Sequence, residues 1–139
     1  MYCSLDDLLE RIPEETLIQI TDDDGTGTVD QGKVAAAIAR AGNEIDAWCG
    51  GRYRTPFAPV PAIITEIAAD LAAYYLYARR QEIIPEARTD RYRGNLAMLK
   101  EIAHGLITLP GSATAEEPTG TMAVAAPGRL FSAEDLERY

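Results

Sequence analysis

One long amphipathic helix between Asp30 and Cys49 constrains the fold of this chain more than any other feature. Asp30 is a residue type that caps helices, and Gly50 and Gly51 tolerate the left-handed backbone that ends them. Apolar side chains recur every three or four residues, the spacing of one helix face; they are Val34, Ile38, Ala41, Ile45 and Trp48. Such a stripe has to be buried against other elements, so we expect a packed helical body.

Four further helices are predicted, which makes the chain all-α: a compact bundle of about five helices, two short and three longer. The short ones come first, one capped by Ser4 and the other beginning at Pro13. Two long helices follow, over about residues 61–84 and 86–108, each with apolar residues at helical spacing. No stretch of useful length alternates apolar and polar residues as a strand would.

The composition changes near residue 110, where periodic large hydrophobic residues stop and Gly, Pro, Ala and Thr dominate. We therefore expect one helical domain over residues 1–109 and a flexible tail over residues 110–139. The tail ends in RLFSAEDLERY, where Leu130 and Phe131 precede a Ser132-x-x-Asp135 capping pattern. This pattern leaves two interpretations open: a docking segment at residues 128–139, or a frayed terminus with a chance apolar pair.

The formal net charge of −9 is unevenly distributed. Residues 1–31 hold nine acidic residues and one arginine, whereas residues 52–104 hold eight basic and six acidic residues. The negative total argues against wrapping DNA or sequence-specific nucleic-acid binding, which need clustered Lys and Arg. No apolar run approaches the roughly 20 residues of a membrane span, so we expect no membrane partner.

Two basic groups are candidate contact sites for a partner or for another copy of the chain. We expect the corner that follows the long helix to display Arg52, Tyr53 and Arg54. A denser group, at the start of the fifth helix, consists of Arg88, Arg91 and Arg93. A solvated face is the usual interpretation of that group; the alternative is a head-to-tail contact with the acidic end of a neighbouring copy.

The aspartate-rich stretch at residues 22–33, DDDGTGTVDQGK, approaches a calcium-binding loop but lacks its strongest ligand. Lys33 stands where such a loop has a bidentate glutamate, and Thr26 replaces a further ligand. A solvated turn followed by the Asp30 cap is the better explanation. We therefore predict no metal site here.

Catalytic chemistry has little basis in the sequence. The single His104 lies near the end of a predicted helix, where an imidazolium can meet the negative pole of the helix. Cys3 and Cys49 are too few for a disulfide framework, and we predict two buried or half-buried thiols. Three tyrosines near residue 75 are expected to pack in the core or an interface rather than to stack on bases. We predict neither an enzyme nor a cofactor.

The pattern Gly50-x-Arg52-Tyr53-x-x-Pro56, after an alanine-rich helix with an Ile-Asp pair near its end, resembles a family of Mu-like phage and prophage proteins. Further matching features follow the same order along most of the chain; they are Tyr2, Asp7-Leu8, Asp22 to Asp24, Asp70-Leu71-Ala72, Leu76-Tyr77, Arg91-Tyr92, Ile102 to Leu109 and Arg129 to Ser132. Members of that family are understood as small helical head-tail adaptor, or neck, proteins.

The resemblance implies a structural connector that forms a ring between the portal and the tail of a tailed bacteriophage or prophage. The implied partners are phage portal and tail or neck proteins and further copies of the chain; a monomer in isolation is compatible with this role. The implied location is the neck of the virion, after assembly in the host cytoplasm. The alternative is a small helical regulatory module that binds protein or nucleic acid.

Overall fold

The computed structural model describes residues 1–80 and 84–115. Within these residues the chain forms five α-helices: α1 (Leu5–Leu9), α2 (Glu14–Thr21), α3 (Gln31–Cys49), α4 (Ala62–Arg80) and α5 (Glu86–Ala103). The prediction of an all-α chain with two short and three longer helices is confirmed. The docking segment predicted at residues 128–139, with Leu130 and Phe131, lies outside the described residues.

Polar side chains fix the points at which α1 and α3 begin. Ser4 and Asp7 form a capping box, in which the Asp7 carboxylate accepts from the Ser4 amide at 2.7 Å and Ser4 Oγ accepts from the Asp7 amide. Asp30 caps α3 by accepting a hydrogen bond from the Lys33 amide at 3.1 Å. Both predicted caps are therefore confirmed.

Helix α4 lies at the centre of the fold and packs against each of the other four helices. Its inner faces alternate small and large side chains, and Ala68 and Ala72 have no exposed surface. Such small residues let neighbouring helices approach closely. The large side chains that are fully buried around them include Leu8, Leu17, Ile45, Leu71 and Leu99. Burial of each such aliphatic side chain stabilises the fold by about 1.5–3 kcal/mol.

The buried stripe of α3 follows the prediction as far as Ile45 and then departs from it. Cys49 is fully buried, whereas Trp48 keeps 37% of its surface exposed. The prediction that Trp48 completes the buried stripe is wrong. Trp48 and Cys49 are three and four residues after Ile45, so both lie near the inward face of the helix. Cys49 has the smaller side chain, and it is the one that packs against the core.

The left-handed glycine that was expected at the end of α3 is found instead at the end of α5. Gly50 caps α3 with a φ of −63°, so the predicted left-handed stop there is wrong. Gly105 has a φ of +83°, and its amide donates to Ile102 O at 3.2 Å. The Leu106 amide donates to Glu101 O at 2.9 Å, which completes a Schellman motif. Helix α5 therefore ends at Ala103, before the predicted end near residue 108.

Candidate protein-interaction site

The corner between α3 and α4, residues 50–61, is built on a buried tyrosine. Tyr53 is 2% exposed, and its ring centroid lies 5.9 Å from that of Phe57. The Tyr53 hydroxyl accepts a hydrogen bond from the Leu109 amide at 2.9 Å. The prediction that the corner displays Tyr53 is wrong, because the ring belongs to the core and its hydroxyl satisfies a backbone amide.

The chain that follows α5 folds back on this corner. The Arg54 amide donates to Ala113 O at 2.9 Å, and the Ala115 amide donates to Arg52 O at 3.0 Å. These bonds flank an isolated antiparallel bridge between Tyr53 and Thr114. We call residues 109–115 the return segment. The paired part of the chain thus runs to Ala115, beyond the predicted domain boundary at residue 109.

The two arginines of the corner have different environments. Arg52 is half-buried, with its guanidinium carbon 5.6 Å from the centroid of the Tyr53 ring, a cation–π geometry. The same guanidinium lies against Gly105, where a Cβ would be 1.9 Å from Arg52 Nη1. Arg54 is exposed, so of the three predicted contact residues it is the one that the corner presents most openly.

The N-terminus is tied to the same corner by a hydrogen-bond network that the sequence did not reveal. The Tyr2 hydroxyl donates to the Asp46 carboxylate and accepts from the Phe57 amide at 3.0 Å. Burial and the hydrogen bond to Asp46 raise the pKa of Tyr2 to about 12. No local pattern connects residue 2 with residues 46 and 57, so only the tertiary structure could show this link.

The predicted basic group of α5 is divided between one half-buried and two exposed positions. Arg88 is half-buried: it donates to Arg11 O, and its guanidinium lies 5.2 Å from the centroid of the Tyr77 ring. Arg91 is exposed, with Nη1 3.8 Å from Asp70 Oδ1. Arg93 is exposed as well. Arg91 and Arg93 are therefore the members of the group that a second molecule can reach, whereas Arg88 stabilises its own chain.

Part of the acidic N-terminal charge is neutralised within the same chain. The Asp23 carboxylate pairs with Lys33 Nζ at 2.7 Å, Arg79 Nη2 at 2.8 Å and Arg80 Nη1 at 3.4 Å. Hydrogen bonds from Lys33 and Arg79 lower the pKa of Asp23 to about 2. The complementary charges that suggested contacts between copies thus also act between α4 and the turn before α3.

Comparison with known proteins identifies the family of the chain. The sequence profile of the family described as "Bacteriophage Mu, Gp36" matches residues 2–126. The chain belongs to this family. The "Mu-like prophage FluMu protein gp36" of Haemophilus influenzae is 31% identical over 125 residues, which cover 88% of this chain and 86% of the relative. The predicted resemblance to Mu-like phage proteins is confirmed, and the chain is a phage-family protein.

The aspartate-rich turn of this Gp36-family chain is held by its own groups. The Asp22 carboxylate accepts from the Thr26 amide at 2.9 Å and from the Gly27 amide at 2.7 Å. These bonds lower the pKa of Asp22. Lys33 Nζ reaches the carbonyl of Thr21 at 3.0 Å. Across the described residues, no three metal-ligating side chains lie together.

The tyrosines near residue 75 pack with other groups of the Gp36-family chain, as predicted. The Tyr74 ring stacks on that of Tyr92, with centroids 3.9 Å apart and an interplanar angle of 10°. Tyr75 is 4% exposed and donates to Glu44, and Tyr77 is buried as well. The ring faces that a base would need are therefore used in packing.

Both cysteines are buried and free, which confirms the prediction of two buried thiols. Burial is the main reason that the pKa of Cys3 and that of Cys49 are each raised to about 11. His104 is the C-cap residue of α5, as its position before Gly105 indicated. None of the helices in the described part of the chain is long and apolar enough to cross a membrane.

Proposed function

We propose that this Gp36-family protein is a head-tail connector, a structural adaptor that forms a ring between the portal and the tail of a tailed phage or prophage. Family membership supports a role in a phage. The observation that carries the finer proposal is the return segment. Its pairing with Arg52 and Arg54 fixes the position of Ala115, the residue that precedes residues 116–139 in the sequence.

A connector has to combine a rigid body with a segment that reaches a partner. In this proposal the five-helix body provides the subunit contacts, and the corner with residues 116–139 contacts portal and tail or neck proteins. Binding energy replaces catalysis in such a mechanism. The entropy lost when a terminal segment becomes ordered on its partner is offset by the surface buried there. The protein would act in the virion neck, after assembly in the host cytoplasm.

The proposed contact between copies joins exposed charges of opposite sign. Arg91 and Arg93 on α5 of one copy would face the acidic first two helices of the next, whose exposed carboxylates include Asp6, Glu14 and Glu15. A ring needs a head-to-tail contact between two different surfaces, and these two surfaces meet that requirement. Arg88 is left out of the proposed contact because its guanidinium is already held by Arg11 O and the Tyr77 ring of its own chain.

Deletion of the gene from an inducible prophage that carries it tests the connector proposal. The expected lysate contains DNA-filled heads and separate, complete tails in electron micrographs, because a missing connector blocks joining while leaving both assemblies possible. Normal virions, or a lysate without heads, would contradict the proposal.

Complementation of the deletion then tests the contact between copies. The double variant Arg91→Glu, Arg93→Glu should fail to restore virions, whereas Arg91→Lys, Arg93→Lys should restore them because the charges remain. Adding Glu14→Arg and Glu15→Arg to the first variant should recover part of the yield by exchanging the signs. Full yield with the charge-reversed variant alone would contradict this contact, while the deletion result would still stand.

A further inference from the structure

An apolar groove runs between the N-terminal segment with α1 and the first half of α3. It encloses about 430 Å³, and the apolar side chains that line it are Met1, Leu5, Val34, Ala35 and Ile38. A neighbouring groove of about 250 Å³ shares Leu5 and Gln31 with it, so the two grooves lie side by side. Met1, in the first groove, is 88% exposed, and Leu9, in the second, is 37% exposed. The exposed apolar atoms of Met1 and Leu9 would lose contact with water if another apolar segment lay against them.

The chain itself contains a segment of matching character outside the described residues. Leu130 and Phe131 stand before Ser132, which begins a capping pattern with Asp135. Phe131 and Leu136 then occupy the two positions of a hydrophobic staple, the residue before the N-cap and the fourth residue after it. The sequence therefore predicts a short amphipathic segment that presents Leu130, Phe131 and Leu136 as one apolar group.

The described chain ends at Ala115, close enough to the groove for the segment around Leu130 and Phe131 to reach it. Ala115 is hydrogen-bonded to Arg52, just beyond the C-terminal end of α3. The groove lies near Val34, 15 residues earlier on the helix that ends at Cys49, or roughly 22 Å at 1.5 Å per residue. Residues 116–129 connect the two; a flexible chain of about 14 residues has a root-mean-square span of roughly 20 Å.

Binding within one molecule is most favoured when the typical span of the linker matches the distance that it has to bridge. Residues 116–129 are about the right length for the distance from Ala115 to the groove. We propose that the segment around Leu130 and Phe131 docks into the α1–α3 groove of its own chain. The docked side chains cover Met1, Leu5 and Ala35, the apolar residues of the groove that are not already buried. This inference concerns the isolated chain and does not depend on the connector role.

Photo-crosslinking in the full-length chain tests the proposal. Benzoylphenylalanine is placed at the position of Phe131, the protein is irradiated, and the cross-linked peptides are mapped by mass spectrometry. The expected cross-links reach residues 1–9 or 31–38, in a species of monomer mass, with a yield that does not change on dilution. Cross-links in a species of dimer mass would overturn the proposal in favour of a second copy, and cross-links elsewhere or none would overturn it outright.

A pair of substitutions on α3 provides a matched control. Ala35→Glu places a charge in the groove and should lower the cross-link yield roughly tenfold, because burying an unpaired carboxylate is costly. Ala39→Glu adds the same charge one helical turn further along, at an exposed position that does not line the groove, and should leave the yield unchanged. Equal yields for both variants would overturn the proposal.

A second measurement keeps the natural side chain at residue 131. Methyl NMR signals of the groove should shift in the full-length Leu130→Ser, Phe131→Ser variant. The same signals should stay unchanged in the Met122→Ser, Val124→Ser variant, which alters two apolar residues of the connection instead. Unchanged signals in the first variant would overturn the docking proposal. The prophage deletion result would stand in that case, because it does not report on the groove.

Discussion

The guanidinium of Arg52 occupies the space that a side chain at Gly105 would need. A Cβ built on Gly105 would lie 1.9 Å from Arg52 Nη1, and the backbone of that glycine has a φ of +83°. One glycine therefore both ends α5 and provides the surface against which the first arginine of the corner lies. The end of α5 is coupled in this way to the corner with which the return segment pairs.

We expect Gly105→Ala to destabilise the protein by about 1–2 kcal/mol, mainly because an alanine resists the left-handed backbone. The guanidinium of Arg52 ends a flexible side chain and can move aside. Gly94→Ala is the matched control: nothing lies within 4 Å of a Cβ there, and its φ is not positive. It should stabilise α5 by about 0.5–1 kcal/mol. Urea unfolding followed by circular dichroism measures both, and equal effects would contradict the prediction.

Removal of the Tyr53 hydroxyl should loosen the return segment. In Tyr53→Phe the Leu109 amide loses its acceptor, at a cost of about 1–3 kcal/mol. Hydrogen exchange should accelerate at the Leu109 and Ala115 amides. Tyr77→Phe, which also removes a hydroxyl from a buried tyrosine, should leave those two rates unchanged. Unchanged exchange in Tyr53→Phe would show that the hydroxyl does not hold the return segment.

The ion pair between Arg11 and Asp70 should contribute more stability than the pair between Arg11 and Glu66. Asp70 also accepts from Asn95 at 3.1 Å, and the Arg11 and Asp70 side chains are only 10% and 13% exposed. Asp70→Asn leaves a largely buried arginine poorly paired, so we expect a loss of about 2–3 kcal/mol. Glu66 is 67% exposed, so Glu66→Gln should cost less than about 1 kcal/mol. Chemical denaturation compares the two, and the reverse order would contradict this assignment.

The lowered pKa of Asp23 predicts a loss of stability in acid. Its pKa falls from an ordinary value of 3.8 to about 2, so the stabilisation is present above about pH 4 and disappears as the pH falls towards 2. The Asp23→Asn variant should therefore show a shallower decline of its thermal midpoint over this range. Asp24→Asn is the control, since Asp24 forms no ion pair within the described part of the chain. Identical pH profiles for Asp23→Asn and the natural protein would contradict the prediction.

The sequence predicted the helices well because their signals are local. The Ser4 and Asp30 caps and the stripe of α3 up to Ile45 depend only on neighbouring residues. The prediction of buried residues failed where the helical period places two neighbouring residues near the same face, as at Trp48 and Cys49. The sequence prediction also extended α5 through Leu106, whose 78% exposure shows that the apolar spacing continued beyond the helix by chance. Gly105 was the residue in the sequence that indicated where α5 ends, because glycine favours the left-handed backbone that terminates helices.

The candidate site was less predictable because its contacts join distant parts of the chain. Tyr53 stands between two arginines, so its local sequence indicated exposure, yet Leu109 and Phe57 bury it. Arg88 looked equivalent to Arg91 and Arg93, and only the packing of α5 against α4 and the end of α1 separates them. Burial of such residues follows from tertiary contacts that one sequence does not encode locally.

Electron cryomicroscopy of purified virions that carry this gene tests the connector proposal most directly. We expect several copies of the five-helix body arranged as a ring between portal and tail, with α5 of each copy facing the first two helices of the next. Absence of the protein from intact virions, or its location at any other part of the particle, would rule out the connector role.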